Sequence, residues 1–311
     1  MQRLLTGLQP SGTLHIGNYF GALKPFVELS GEYDSMLMVA DYHALTSLKN
    51  PGELRANILS VTKDYLAAGI NPTRAIIFQQ SAVPEHTELA WIFQCLVTVP
   101  FLELAHAYKD KVAKGLEANA GLFAYPMLMA ADILLYDTDV VPVGADQRQH
   151  VEYAREAAMK FNKAFGDTFK EPRERILPDI ATVPGIDGKK MSKSYGNTIP
   201  LFGTKDEIGK AVMSIVTDSS GDRPENVYAI HRLFREETDL AVLYEANKKN
   251  YKAIKESLIE DIEAVVAPMR AVRDSITDAD AAKVLEEGSA RARSRAQGKM
   301  RDVRTKLGVS L

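Results

Sequence analysis

Short apolar runs alternate with helix-like patterns along the first third of the chain. Runs at 3–6, 35–40 and 75–78 have the length and composition of buried strands. Between them, apolar residues recur at helical spacing over 19–29 and 53–68. Strands alternating with helices are typical of βαβ units. We therefore predict an α/β fold built on a parallel sheet.

The pattern changes further along the chain. Helical spacing dominates 84–136, a strand pattern follows at 139–143, and a helix is predicted over 148–163. Beyond residue 200 only helices are predicted, at 205–216, 226–235, 240–249, 252–272 and 279–307. We therefore expect a catalytic domain at 1–200, with a helical insertion at about 84–136, and an all-helical domain at 201–311.

A glycine-rich turn, GLQPSGTLHIGN at 7–18, joins the first strand to the first helix. Free N–H groups at such a helix start form an anion site. Gly12 and Gly17 allow close approach of a ligand, and His15 and Asn18 add side-chain donors three residues apart. Taken alone, the stretch fits an ordinary Gly/Pro turn equally well.

A second stretch, GKKMSKSYG at 188–196, resembles the mobile KMSKS loop of class I aminoacyl-tRNA synthetases. HIGN at 15–18 resembles their HIGH motif. QPSG at 9–12, the segment from Tyr125-Pro126 to DILLY at 132–136, and VPVGADQ at 141–147 resemble signatures of the tryptophanyl-tRNA synthetases. The resemblance spans the chain, is densest over the first 200 residues, and implies a Rossmann-like nucleotide-binding domain.

The composition indicates the class of protein but not the reaction that it catalyses. The 311 residues are 46% hydrophobic and 25% charged, as in ordinary globular proteins. No apolar run reaches the roughly 20 residues that span a bilayer and no signal pattern is present, so we expect a cytoplasmic protein without membrane contact. A lone Cys95 and six scattered histidines give no ligand spacing, so we expect no structural metal.

The resemblance implies a two-step reaction. The tryptophan carboxylate attacks the α-phosphorus of ATP, and the terminal ribose hydroxyl of tRNA then attacks the adenylate. Such steps depend on positioning and on cations aimed at growing charge. The catalytic candidates, with Mg²⁺ on the leaving pyrophosphate, are His15, Asn18, Lys190, Lys193 and Lys111. The resemblance assigns ATP contacts to Gln9, Pro10, Ser11, Gly17, Asn18, Gly144, Ala145, Asp146, Val183, Lys190, Met191, Ser192, Lys193 and Ser194.

The amino-acid pocket is predicted on the helix at 121–135. Tyr125, Met129 and Asp132 lie at i, i+4 and i+7, hence on one face. A carboxylate on an apolar face needs a donor. An indole N–H would supply it, and a structural salt bridge or cap is the alternative; the resemblance favours indole recognition.

The rest of the predicted pocket comes from neighbouring segments. Val141 and Val143 are expected to close it, while Tyr125 and Gln147 hold the α-ammonium group. His43 is a secondary candidate. Leu5 stands where related enzymes commonly carry an aromatic residue, which makes that wall less specific.

The expected partners are L-tryptophan, tRNA(Trp) and a second copy of the chain, bound through the insertion. The net charge of −3 argues against indiscriminate binding of polyanions, so RNA would need local basic patches. Lys252, Arg291, Arg295 and Lys299 are candidate phosphate contacts, or simply solvated helix faces. Three alternatives stay open: a tyrosyl-tRNA synthetase, a small nucleotidylyltransferase, and an RNA-binding relative without activity.

Overall fold

A five-stranded parallel sheet forms the centre of the N-terminal half, as expected. The computed structural model describes residues 1–115, 117–143, 148–176, 183–217 and 223–310. The strands run in the order β3-β2-β1-β4-β5 and every pairing is parallel. They are β1 (Arg3–Leu8), β2 (Asp34–Val39), β3 (Ala75–Gln79), β4 (Val140–Val143) and β5 (Arg173–Ile176).

The strand β5 was not predicted. Its sequence is Arg-Glu-Arg-Ile, which lacks the apolar run that marks a strand buried on both faces. It lies at one edge of the sheet beside β4, where only one neighbouring strand has to be matched. Its position is therefore a consequence of pairing with β4 rather than of its own hydrophobic pattern.

The order of the strands fixes where a ligand can bind. The chain adds β2 and β3 on one side of β1, and β4 and β5 on the other. In open parallel sheets of this kind, ligands bind outside the carboxyl ends of the strands at the point where the order reverses. Here that point lies between β1 and β4, so the glycine-rich turn after β1 flanks it.

Alternation along the strands builds two apolar cores. Leu4, Leu37 and Ile77 face one side, where they pack with helices from both ends of the chain. Leu5 and Met36 belong to the core on the other side, with helices of the insertion. Because side chains of a strand alternate between faces, a single run such as Leu4-Leu5 supplies both cores.

The first half carries nine α-helices within its described residues, and the helices predicted over 84–136 are confirmed. The helix predicted over 19–29 is interrupted by a π-helical segment at Tyr19–Leu23. The helices are α1 (Ile16–Asn18), α2 (Lys24–Leu29), α3 (Asp41–Ala44), α4 (Pro51–Ala67), α5 (Glu85–Gln94), α6 (Val99–Leu102), α7 (His106–Ala113), α8 (Ala120–Leu134) and α9 (Arg148–Phe165).

Five helices follow residue 200 in the described chain, and the predicted helical character of this half is confirmed. Pro268 lies inside the second-longest of them, the helix Tyr251–Ser275, and does not end it. The five helices are α10 (Lys205–Met213), α11 (Glu225–His231), α12 (Glu237–Ala246), α13 (Tyr251–Ser275) and α14 (Asp278–Leu307). Among all the residues described, no helix combines the length and apolarity that crossing a bilayer requires.

The last helix, α14, packs directly on the edge strand β3. The backbone N–H of Gln79 donates a hydrogen bond to Ser289 Oγ over 3.1 Å. A β-carbon on Gly288 would lie 1.7 Å from the carbonyl oxygen of Ile77, so only glycine permits this approach. The helix thereby covers an edge whose unpaired backbone groups would otherwise face solvent or another chain.

Basic residues of α14 reinforce this packing. The Arg295 guanidinium binds both carboxylate oxygens of Asp34, at 2.7 and 3.0 Å. Lys299 Nζ lies 2.5 Å from Asp137 Oδ1. Arg295 and Lys299 are thus paired with carboxylates of the same chain, and their predicted role as phosphate contacts stays a prediction.

We predict that Gly288→Ala destabilises the chain. The added methyl group would force α14 away from β3, and overpacking of this kind costs about 1–3 kcal/mol. Gly298→Ala is the matched control on the same helix, because its nearest contact would be the Arg301 guanidinium at 3.9 Å. Urea unfolding should give Gly288→Ala a lower midpoint than wild type and Gly298→Ala an equal or higher one. Equal midpoints for the two variants would contradict the close approach.

Candidate active site

The turn after β1 leads into a short helix, and N–H groups at its start are not free, contrary to the prediction: Ile16 N donates to Ile199 O and Asn18 N donates to His15 O. Gly12 has φ +97°, a conformation that side-chain-bearing residues rarely adopt. His15 precedes α1 in extended conformation, and its backbone N–H donates to Asn18 Oδ1 over 3.1 Å. Asn18 therefore caps the start of α1. This structural role is additional to the contact with ATP that the motif predicts.

The His15 ring packs against Gly17. A β-carbon at position 17 would lie 2.9 Å from His15 Nδ1 and 3.5 Å from Met191 Cβ, so glycine lets the ring and the second loop approach together. His15 is buried. Within the described chain its Nδ1 has no hydrogen-bond partner. A buried polar atom of this kind is available to a ligand.

The lysine loop is organised by a buried asparagine that sequence reasoning did not single out. The Asn197 amide donates to the carbonyl oxygen of Lys190 over 3.0 Å and to Asp187 Oδ1 over 2.7 Å. Its Oδ1 accepts from the backbone N–H of Ser192 over 2.8 Å. The signal was the asparagine that directly follows Gly196 at the end of the motif.

The two loops meet, as the sequence predicted. Backbone hydrogen bonds join Leu201 N to Leu14 O (2.9 Å) and Ile16 N to Ile199 O (3.0 Å). Beyond them, Lys193 Nζ donates to the carbonyl oxygen of Gly12 over 3.0 Å. The ammonium group of the second loop thus lies on the turn of the first, although 181 residues separate the two in sequence.

The electrostatics of His15 follow from this meeting. Burial, and secondarily the positive charge of Lys193, lower the pKa of His15 from 6.5 to about 4. The imidazole is therefore neutral at physiological pH, with one nitrogen donating and the other accepting. A neutral ring beside an ammonium group can hydrogen-bond a phosphate oxygen while Lys193 supplies the charge.

Asp132 lies at the centre of a buried hydrogen-bond network. Its Oδ2 is 2.7 Å from His43 Nε2. Its Oδ1 accepts from Gln80 Nε2 over 2.8 Å and lies 2.6 Å from His86 Nδ1. Burial alone would raise the pKa of Asp132, but the hydrogen bond from His43 and the charge of His86 outweigh it and hold the pKa below its ordinary value. The carboxylate is therefore ionised.

Sequence reasoning missed Gln80 and His86. Gln80 follows the carboxyl end of β3, where the topology gathers polar groups, and that position was the available signal. Its amide orientation is fixed, since Oε1 accepts from the backbone N–H of Tyr42 over 3.1 Å. His86 is the second residue of α5, and no motif marked it.

The other described pocket candidates lie in or against the apolar core that contains α8. Leu5 and Val141 are buried in the same apolar core, and Met129 packs against it. The Tyr125 ring meets the His43 ring edge to face, with centroids 6.2 Å apart. The structure thus brings the predicted face of α8 together with His43, and it places Leu5 and Val141 in the same core as α8.

Within the described part of the chain, the structure gives no contacts between the other predicted residues and this network. Gly144, Ala145, Asp146 and Gln147 lie outside the described residues, as do the side chains of Val143 and Ser194. Lys190 is exposed on the second loop, and Lys111 lies in the last turn of α7. The roles assigned to all of these residues stay predictions.

Comparison with known proteins identifies the family. Residues 1–288 match the family model described as class I tRNA synthetases (W and Y). A tryptophan–tRNA ligase of Fusobacterium nucleatum is 47% identical over 99% of this chain and 98% of its own. One of Rhodopirellula baltica is 43% identical over 99% of each chain.

A solved structure agrees with these sequence relatives. The tryptophanyl-tRNA synthetase of Campylobacter jejuni, crystallised with ADP and tryptophan, superposes with a TM-score of 0.91 at 42% identity. The match covers 99% of this chain and 100% of the other. The chain therefore belongs to the class I aminoacyl-tRNA synthetases, in the family that comprises the tryptophan and tyrosine enzymes.

Proposed function

We propose that this chain joins L-tryptophan to tRNA(Trp). It forms tryptophanyl-adenylate and pyrophosphate from tryptophan and ATP, and then transfers the tryptophanyl group to the 3′ end of the tRNA with release of AMP. The observation that carries the proposal is the contact of Lys193 Nζ with the turn that holds the buried His15. Relatives named tryptophan–tRNA ligase over nearly the full chain support the choice of amino acid.

The phosphate end of the site acts through charge and hydrogen bonds. A carboxylate oxygen of tryptophan bonds to the α-phosphorus while the bond from that phosphorus to the bridging oxygen breaks, and pyrophosphate leaves. Charge grows on the leaving oxygens, where Lys193 and Lys190 stabilise it. The proposed ATP contacts of the first turn are Gln9, Pro10, Ser11, Gly17 and Asn18.

The other contacts to the nucleotide come from two segments. We assign ribose and adenine to Gly144, Ala145, Asp146 and the backbone at Val183, and the triphosphate also to Met191, Ser192 and Ser194. Magnesium enters as part of the substrate MgATP. The described residues contain no group of three His, Cys, Asp or Glu side chains that could hold a metal ion by themselves.

The amino-acid end uses the buried carboxylate. A carboxylate accepts about four hydrogen bonds, and Asp132 receives two contacts at Oδ1 and one at Oδ2. Oδ2 therefore retains one acceptor position, which we assign to the indole N–H. Leu5, Met129, Val141 and Val143 form the apolar wall, with Tyr125, Gln147 and His43 at the polar end.

The proposed partners are tRNA and a second copy of the chain. The helices after residue 200 would bind the anticodon, with exposed Lys252 and Arg291 as phosphate contacts. The insertion supports a homodimer because it exposes large apolar side chains, with Trp91 66% and Val99 60% accessible. We place the reaction in the cytoplasm, where ATP and tRNA are available.

We expect ATP–pyrophosphate exchange to depend on tryptophan, with kcat/KM at least about a hundredfold above that for tyrosine. The comparison matters because the matching family includes both enzymes. Asp132→Asn, with its fold checked by urea unfolding, should lose most of the tryptophan-dependent exchange. Preferred exchange with tyrosine would refute the proposed substrate.

Lys193→Ala should lower the rate of adenylate formation at least about tenfold, because it removes a cation aimed at growing charge. Tryptophan binding should be nearly unchanged, since the substitution does not touch the Asp132 network. Lys189→Ala, on the same loop, is the control and should retain wild-type exchange rates.

The same variant reports on the contact between the loops. Removing the Lys193 charge should raise the pKa of His15 above about 4, which NMR titration of the imidazole measures. The sign follows because a nearby positive charge disfavours the imidazolium form. An unchanged pKa of His15 together with wild-type exchange would remove Lys193 from the site.

Trp91→Glu should convert the chain from dimer to monomer, because a charge in an apolar interface is costly to bury. Val242→Glu is a matched control on the exposed face of α12, where the side chain is 72% accessible. Sedimentation equilibrium distinguishes the two states, and a wild-type monomer at micromolar concentration would contradict the homodimer.

A further inference from the structure

A fully buried histidine, His86, links Asp132 to a tyrosine behind it. Its Nδ1 lies 2.6 Å from Asp132 Oδ1, and its Nε2 lies 2.8 Å from the Tyr136 hydroxyl. The ring stacks on Phe78, with centroids 6.0 Å apart and an interplanar angle of 18°. Neither His86 nor Tyr136 belongs to the wall of the proposed pocket. Any effect of these residues on the substrate therefore passes through Asp132.

The Asp132 carboxylate determines which nitrogen of His86 carries a proton, because an ionised oxygen 2.6 Å from Nδ1 can only accept. Burial and the negative charge of Asp132 raise the pKa of Tyr136 well above its ordinary value, so the hydroxyl keeps its proton. When that hydroxyl donates to Nε2 of a neutral ring, the ring proton resides on Nδ1. A doubly protonated ring also carries a proton on Nδ1. In both cases Nδ1–H faces Asp132 Oδ1 over the 2.6 Å contact.

The donation from His86 completes one carboxylate oxygen and leaves the other incomplete. Oδ1 accepts a hydrogen bond from Gln80 and has His86 Nδ1 only 2.6 Å away, so these two groups leave no room at this oxygen for a further donor. Oδ2 has His43 alone among the described side chains. Without His86, Oδ1 would also have an open acceptor position, and nothing would distinguish the two oxygens for an incoming donor.

Helix α5, which carries His86, is held from outside by α14. Glu88 binds the Arg304 guanidinium through both carboxylate oxygens, at 2.7 and 2.5 Å. Glu85 lies 3.5 Å from Arg293 Nε. These pairs stand on both sides of His86 along the helix, so the C-terminal helix fixes the position from which His86 reaches Asp132.

We propose that His86 is a positioning residue for amino-acid selection: its Nδ1–H holds Asp132 Oδ1 so that Oδ2 is the oxygen left for the indole N–H. This inference rests on the proposed recognition of tryptophan by Asp132. It assigns a role in specificity to a side chain that does not touch the substrate. Tyr136 contributes by contacting Nε2, the His86 nitrogen that faces away from Asp132.

The test uses two substitutions, each of which retains a polar nitrogen at only one of the two nitrogen positions of the imidazole. The amide nitrogen of His86→Asn takes the place of Nδ1 and retains a donor for Asp132. The longer His86→Gln places its amide near Nε2, which retains the Tyr136 contact and loses the donor to Asp132. Both variants lose the ring and its stacking on Phe78, so a merely structural role predicts similar behaviour.

The readout is discrimination between tryptophan and its benzothienyl analogue, in which sulfur replaces the indole N–H. The ratio of their kcat/KM values in pyrophosphate exchange reports the hydrogen bond to the carboxylate, which we expect to give about tenfold to a hundredfold in wild type. His86→Asn should keep this ratio within about threefold. His86→Gln should reduce it to about one, with KM for ATP unchanged.

The outcomes separate the inference from the function on which it rests. A wild-type ratio near one would overturn the contact between Asp132 and indole, and the inference with it. A normal wild-type ratio that both variants preserve would overturn the role of His86 alone. Should either variant fail to fold, ¹⁵N NMR of the wild-type imidazole decides: protonated Nδ1 supports the proposal, and unprotonated Nδ1 contradicts it.

Discussion

A carboxylate buried among apolar side chains must be given hydrogen-bond donors, because its desolvation would otherwise exceed the stability of an ordinary domain. Asp132 receives them from His43 on α3, Gln80 after β3 and His86 on α5. These elements, together with α8, are thereby held around one point. The geometry of the proposed amino-acid site depends on this shared requirement, since a displaced donor would leave the charge unsatisfied.

The proposed phosphate side of the site is built differently. Its principal cation, Lys193, is on an exposed loop and binds backbone carbonyl oxygens of the first turn. Neutral backbone carbonyls are weaker partners for an ammonium group than phosphate oxygens, so a triphosphate can replace them. The rigid part of this loop is its base, where the buried Asn197 side chain ties Lys190 and Ser192 together. A fixed base with an exposed tip suits a group that must bind and release a charged product.

Helix α14 belongs to the second half of the chain and stabilises the first half by packing against it. Its small residues allow contact with β3, and its arginines bind carboxylates on β2 and α5. The basic character of this helix, which favours an RNA-facing surface when only composition is considered, is in part complementary to acidic residues of the same chain. Through this packing, the last helix stabilises α5 and β2, which lie next to the proposed amino-acid site.

The sequence by itself determined the parallel sheet, the helical second half and the two motif loops, because strand and helix periodicity and glycine-rich turns are local properties. It also indicated Asp132 as a buried acid, since its neighbours on α8 are apolar. It did not identify β5, Gln80, His86 or Asn197. These depend on pairing and on donors that arrive from distant elements.

The tertiary structure alone decided which charges remain for substrates. Whether Arg295 faces RNA or Asp34, and how many acceptor positions Asp132 keeps, are questions about neighbours remote in sequence. A local pattern carries no information on such pairs, because the energy of a buried charge is set by the groups that surround it in space.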